Sequence, residues 1–150
     1  MKKIRVRAII FHEDKLITMY REKDGRSYYS FPGGGLEDDE SMESCVIREC
    51  KEEFGIDVKP LKELYIYENE NFNSIEHFYL CRWVGGEFGT GDGEEFQTME
   101  YGLYEPRMIK INEIEKLPVL PKEVSLEVYS KILDKEDLLN VDVKYFHVEK

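Results

Sequence analysis

The sequence predicts one α/β domain. Short stretches with strand character stand on both sides of a helix-length segment, Met42 to Phe54. A second helix-length segment, Lys122 to Leu133, follows the last of the internal strands. The chain has 150 residues, 41% hydrophobic and 13% aromatic, which is enough apolar surface for one sizeable core.

The elements follow from local pattern. Ile4 to Phe11 alternates and then runs apolar, as a strand with one buried end does. His12 to Lys15 is a turn, and Leu16 to Tyr20 is a second strand. Arg21 to Arg26 is polar and holds the Asp24-Gly25 turn signal, so it reads as a loop. Tyr28 to Phe31 is a short strand that leads into Pro32 and three glycines. Beyond the first helix, Val58 to Tyr67 and Glu76 to Val84 flank a polar turn and suggest an antiparallel hairpin. Gly85 to Gly93 contains five glycines in nine residues, a composition often found in functional loops. Tyr104 to Ile109 is a late strand. A short helix is expected over Glu113 to Leu117, capped by Asn112 and ended by Pro118. Pro121 starts the second long helix, and Val141, Val143, Tyr145 and His147 alternate in the tail, as a terminal strand or a partner contact would.

The stretch from Phe31 to Ile56 organises the rest. Pro32 followed by Gly33, Gly34 and Gly35 excludes a regular helix and permits close approach of a ligand to the backbone. Ser41 is a good N-cap, and Glu37 to Glu40 place negative charge at the positive end of the helix dipole. Gly55 is the expected left-handed C′ residue. On this helix Met42, Val46, Ile47, Cys50 and Phe54 share one arc and should face a core. Glu49, Glu52 and Glu53 stand at i, i+3 and i+4 on an arc that overlaps its edge. Like charges one turn apart repel, so the cluster reads either as a solvated acidic face or as the ligand set of a hard divalent cation such as Mg²⁺.

The spacing is more specific. Gly34 is followed by five residues and Glu40, then by seven residues and Arg48-Glu49. Cys50, Glu52-Glu53, Gly55 and Ile56 complete the pattern. This resembles the Nudix box, the signature of the Nudix hydrolases, from Gly34 to Ile56. Cys50 stands where the family usually has an aliphatic residue, and a cysteine is small and apolar enough for that buried slot. The resemblance implies the Nudix fold, an α/β/α sandwich with a mixed β-sheet. It implies hydrolysis of a nucleoside diphosphate linked to another group, by attack of water at phosphorus. Glu49, Glu52 and Glu53, with the backbone carbonyl of Gly33 or Gly34, would then hold Mg²⁺ or Mn²⁺. Arg48 and Glu40 would pair and orient the glycine loop against the helix. Arg21 would lie near the substrate phosphates, or else be a solvated loop charge. A loop glutamate, Glu94 or Glu95 with Glu100 behind them, would assist the metal or serve as base alongside Glu49.

The resemblance leaves the substrate open. A (deoxy)nucleoside triphosphate or an oxidised nucleotide stands first, with a dinucleoside polyphosphate or nucleotide sugar after it. ADP-ribose enzymes of the family tend to carry a proline some way beyond the box, and here none lies between Pro60 and Pro106. Tyr20, Tyr28, Tyr29 and Phe72 are candidates to stack a base. The other class of reading is a regulatory domain that binds a nucleotide without turning it over. Such domains usually lose box carboxylates, whereas all three are present here.

A net charge of -11 argues against binding nucleic-acid polymers or membrane surfaces, and it would repel a polyphosphate unless metal ions intervene. The three cysteines, Cys45, Cys50 and Cys81, form no disulfide framework and no metal-spaced pair. Arg5 and Arg7 interrupt the opening apolar run, so it does not read as a signal peptide, and no segment approaches membrane-spanning length. A cytoplasmic protein is expected, acting on a small nucleotide, with room for a homodimer.

Overall fold

The computed structural model describes residues 1–91 and 102–150. The elements are β1 (Lys3–His12), β2 (Lys15–Lys23), β3 (Arg26–Ser30), β4 (Gly33–Gly35), α1 (Met42–Phe54), β5 (Ile56–Asn69), β6 (Ser74–Gly86), β7 (Leu103–Lys110), β8 (Val119–Leu120), α2 (Lys122–Leu133) and β9 (Lys144–Val148). Among the described residues the strands run in the order β8-β3-β2-β1-β6-β5-β9, with β4 added on β1 and β7 on β2.

The β1–β2 hairpin is paired only near its tip, Phe11 opposite Leu16 and His12 opposite Lys15. Beyond the tip the strands diverge. β1 runs parallel to β6 and takes β4 antiparallel on its other edge, while β2 lies between β3 and β7. The glycine bend therefore sits at the divergence, fixed by Arg5, Val6 and Arg7 opposite Gly35, Gly34 and Gly33.

Helices cover both faces of the sheet, so the expected α/β/α sandwich with a mixed sheet is the observed one. Val6, Ala8 and Ile10 of β1 pack with Cys45, Val46, Cys50 and Phe54 of α1. Ile9, one residue out of phase, joins Phe31, Phe78 and Leu80 on the opposite side, under Val124 and Val128 of α2. Each fully buried aliphatic or aromatic side chain in these layers contributes roughly 1.5–3 kcal/mol relative to exposure.

Helix α1 begins and ends at the residues the sequence indicates. The Ser41 side chain accepts a hydrogen bond from the Ser44 N–H, and Gly55 takes the left-handed conformation with φ 77. Ser41→Ala should cost about 1 kcal/mol, the usual worth of such a cap, read as a lower denaturant midpoint at unchanged slope. The buried arc differs from the expected one. Ile47 is 41% exposed, whereas Cys45 is fully buried. Glu49 and Glu53 lie inside the buried arc rather than at its margin. The helix turns these acids toward β4, and Ile47 falls just past Phe54 on the outer side.

Two other expectations are corrected, and one about the tail holds. β2 continues through Arg21 to Lys23, because hydrogen bonding to both β3 and β7 holds these polar residues in the sheet. Only Asp24 and Gly25 turn, both with positive φ. No α-helix forms at Glu113 to Leu117. A 3-10 turn, Ile111–Glu113, precedes it, started from Lys110 rather than Asn112. The tail does end in a strand, β9, which runs parallel to β5.

Candidate active site

The box carboxylates occupy three different environments. Glu53 is 6% exposed, and its Oε1 accepts the Gly33 N–H at 3.0 Å. Glu49 is 8% exposed and faces Gly34 so closely that a Cβ there would lie 2.5 Å from its Oε1. Glu52 is the outermost, with 46% of its side chain exposed. The Glu49 carboxylate thus occupies the space that a Cβ at Gly34 would take.

Arg48 ties these parts together. Its Nε and Nη2 donate to the two oxygens of Glu40 at 2.7 and 3.0 Å, a bidentate pair. Nη2 also donates to the Gly35 carbonyl at 3.2 Å. Nη1 bridges Glu49 and Glu52 at 3.0 and 3.3 Å. This charge placement offsets the repulsion of the i, i+3 pair. Hydrogen bonds from Arg48, helped by the Glu37 N–H, outweigh partial desolvation and hold the Glu40 carboxyl at about 2 rather than 4.5. A depressed carboxylate stabilises the fold in full above its unfolded value and loses that contribution as pH falls through the folded one. Glu40→Gln should therefore flatten the decline of melting temperature between pH 4.5 and pH 2, with little difference between the two proteins' slopes above that window.

Beside these acids lies a cleft of about 720 Å³, bounded by Glu49, Glu53 and the Gly33–Gly35 strand. Its walls carry Arg5, Arg7, Arg21 and Arg26. Lys122, Glu76 and Glu123 line it as well, so cations and carboxylates face one shared space. Arg21 stands between Tyr28 and Tyr104 across the sheet, with its guanidinium 4.0 Å from the Tyr104 ring centre. Of the four stacking candidates, Tyr28 and Phe72 line the cleft, and Phe72 is 76% exposed. Tyr20 and Tyr29 instead pack on each other, ring centres 5.1 Å apart.

The sequence reading missed Arg7 and Glu76. Arg7 Nε donates to Glu76 Oε2 at 2.9 Å, and Nη1 donates to the carbonyls of Phe31 and Gly33 at 3.2 and 3.1 Å. The Gly33 peptide is clamped on both sides, by Glu53 at its N–H and by Arg7 at its C=O. Of the two carbonyls expected to join a metal site, Gly33 therefore already serves a guanidinium. Gly34 O lies in the β1–β4 ladder opposite Val6, with the Cys45 thiol 3.8 Å away. The one available signal was an arginine in phase with Ile9, directly before the apolar run Ala8 to Phe11.

Glu94, Glu95 and Glu100 lie outside the described residues. The described chain stops at Gly91, where a Cβ would meet the Glu53 backbone oxygen at 2.4 Å. The described stretch before it packs on the C-terminal end of α1, where the Gly89 N–H donates to Phe54 O at 2.9 Å. A separate acidic group, Glu68, Glu70 and His147, has ligand-type atoms within 4.8 Å of one another. Lys2 already pairs with both glutamates at 3.0 and 2.7 Å, and the Tyr145 hydroxyl donates to Glu68, so this group ties β9 to the N-terminus. The three cysteines are free and buried, and burial pushes the Cys81 thiol up to about 12. His12 packs on Trp83, and His77 bonds Glu63 at 2.6 Å, so neither belongs to the cleft. No helix among the described residues is long and apolar enough to cross a membrane.

Comparison with known proteins agrees with this geometry. The sequence profile described as the NUDIX domain matches residues 1–123. A CTP pyrophosphohydrolase of Escherichia coli (strain K12) is 31% identical over 103 residues, 66% of this chain and 75% of the relative. An ADP-ribose pyrophosphatase of Methanocaldococcus jannaschii is 29% identical over 94 residues, 59% of this chain. The chain spans only 56% of that archaeal relative's length, and 62% of the length of a Bacillus subtilis relative. Among solved structures, an ADP-ribose pyrophosphatase from Streptococcus suis 89-1591 shares the fold with a TM-score of 0.70 at 24% identity, over 97% of this chain and 99% of the other.

Proposed function

This chain belongs to the NUDIX family, and on that premise we propose that it hydrolyses a nucleoside diphosphate linked to a further group, first a (deoxy)nucleoside triphosphate or its oxidised form. The observation that carries the reading is the burial of Glu49 and Glu53 against the glycine bend, in a space that exists because Gly34 lacks a Cβ. Burying two acids side by side is costly unless a cation shares the site. Hard carboxylate oxygens suit Mg²⁺ or Mn²⁺. Glu49, Glu52, Glu53 and the Gly34 carbonyl would hold it; once bound, such an ion neutralises the bridging phosphates and lowers the pKa of water.

The chain's own groups do the rest. Arg48, anchored on Glu40, sets the angle of the helix acids to the bend. Arg21 and the Gly33–Gly34 backbone border the space for the phosphates. Glu49 or Glu95 takes the proton of the attacking water. The bond between phosphorus and the bridging oxygen breaks as the water oxygen bonds to phosphorus, so two phosphate-bearing products leave.

The relatives' names divide between nucleoside triphosphate and ADP-ribose chemistry, and the cleft has room for either. The test is a panel of dGTP, 8-oxo-dGTP, CTP, a diadenosine polyphosphate and ADP-ribose with Mg²⁺. Metal-dependent release that is fastest from a triphosphate supports the proposal. Faster release from ADP-ribose moves it to that class. Binding without release from any member makes the domain a nucleotide sensor.

A further inference from the structure

We propose that Arg7 is a phosphate-binding residue of the cleft, held ready by Glu76 and by the carbonyls of Phe31 and Gly33. The inference rests on reading the cleft as a nucleoside diphosphate site. A guanidinium has five N–H groups in a fixed fork. In Arg7, Nε donates to Glu76, and the two N–H groups of Nη1 are used by Phe31 O and Gly33 O. Nη2 makes no hydrogen bond among the described residues, and it is not among the sealed polar atoms. Arg7 forms part of the cleft wall between the glycine bend and Glu76, so these two donors belong to the ligand space.

The surroundings favour a ligand over a purely structural role. Arg7 occupies an inward position of β1, where the next such residue, Ile9, is fully buried in the core. An apolar side chain would hold that place without desolvating an ion pair. Burial opposes the charged form most strongly, yet the carboxylates of Glu76, Glu53 and Glu49 together raise the guanidinium above its ordinary value. The charge is therefore permanent. With Glu76 holding Nε and the bend holding Nη1, the Nη2 donors are the ones left for a ligand in the cleft that Glu49 and Glu53 of α1 also line. An anion there lies between Arg7 and the acid side of the cleft. That arrangement fits a phosphate that also shares a divalent cation with those acids, rather than a carboxylate or a base.

The experiment uses inorganic pyrophosphate as probe, with Mg²⁺ present, measured by calorimetry on wild type, Arg7→Gln and Arg7→Lys. Mn²⁺ binding without pyrophosphate is followed in parallel by the loss of its free-ion EPR signal. Pyrophosphate affinity about tenfold lower in Arg7→Gln and less reduced in Arg7→Lys, with Mn²⁺ affinity held within about twofold, is the expected pattern. Unchanged pyrophosphate binding in both variants overturns the proposal. So does a parallel loss of Mn²⁺, which would make Arg7 only a prop for the bend. Should Arg7→Gln fail to fold, Arg7→Lys decides by the same pair of readouts. A wild type that binds pyrophosphate through Arg7 but hydrolyses no nucleotide would refute the hydrolase reading and leave this one standing.

Discussion

Glu53→Gln should remove metal-dependent hydrolysis, by on the order of a hundredfold or more in kcat, while leaving the protein folded. The expectation rests on what the amide keeps and loses. Its oxygen can still accept the Gly33 N–H that Glu53 Oε1 accepts at 3.0 Å, so the contact between helix and bend survives. The negative charge is lost from a position 6% exposed, where no solvent replaces it. Groups that merely orient metal ligands cost about ten- to a hundredfold when mutated, so a direct ligand should fall at or beyond the upper end. Circular dichroism and a melting temperature close to wild type, beside lost turnover on the best triphosphate, would complete the result. Turnover within a few-fold of wild type would mean that Glu53 is only a structural acceptor.

The neighbouring glycines should separate fold from site. Gly33 has φ 140, and a Cβ there would lie 2.0 Å from the Val6 carbonyl oxygen and 2.8 Å from the Arg7 Cα. Backbone cannot yield as a side chain can. Gly33→Ala should cost about 3 kcal/mol or more, the strain of that conformation plus displacement of β4 from β1. In a chain of this size that lowers the melting temperature by roughly 6–12 °C. At Gly34 the obstacle is instead the Glu49 carboxylate, 2.5 Å away at the end of a flexible side chain. Gly34→Ala should leave the melting temperature nearly unchanged and push Glu49 out of its cradle, so that divalent-ion affinity falls about tenfold or more. Thermal denaturation and Mn²⁺ titration of both variants check the contrast. Equal destabilisation by the two substitutions would show that Gly34 is a packing residue like its neighbour.

What the sequence made legible is what local chemistry encodes. Ser41 and Gly55 delimit α1 to the residue, because caps act within one turn. The i, i+3, i+4 spacing of Glu49, Glu52 and Glu53 is likewise a property of one helix. The misreadings come from pairing across long separations. Arg21 looked like loop because its partners, Tyr28 and Tyr104, come from two other strands. Arg7 looked like an interruption in an apolar run, and only the approach of β4 and β6 gives it Gly33 and Glu76. The four arginines of the cleft are spread over β1 and the β2–β3 hairpin, so net charge concealed them. Ile47 and Cys45 exchanged places because the helix buries its acids, and an apolar count could not anticipate that.

We propose that the acids of α1 share a divalent cation with a diphosphate, and one titration tests it. Mn²⁺ is added to wild type, Glu53→Gln and Gly34→Ala, and the free ion is counted by EPR. Saturable binding by wild type, weakened about tenfold or more in both variants, is the predicted outcome. Three superimposable isotherms, or no saturable binding in wild type with pyrophosphate present, would contradict it.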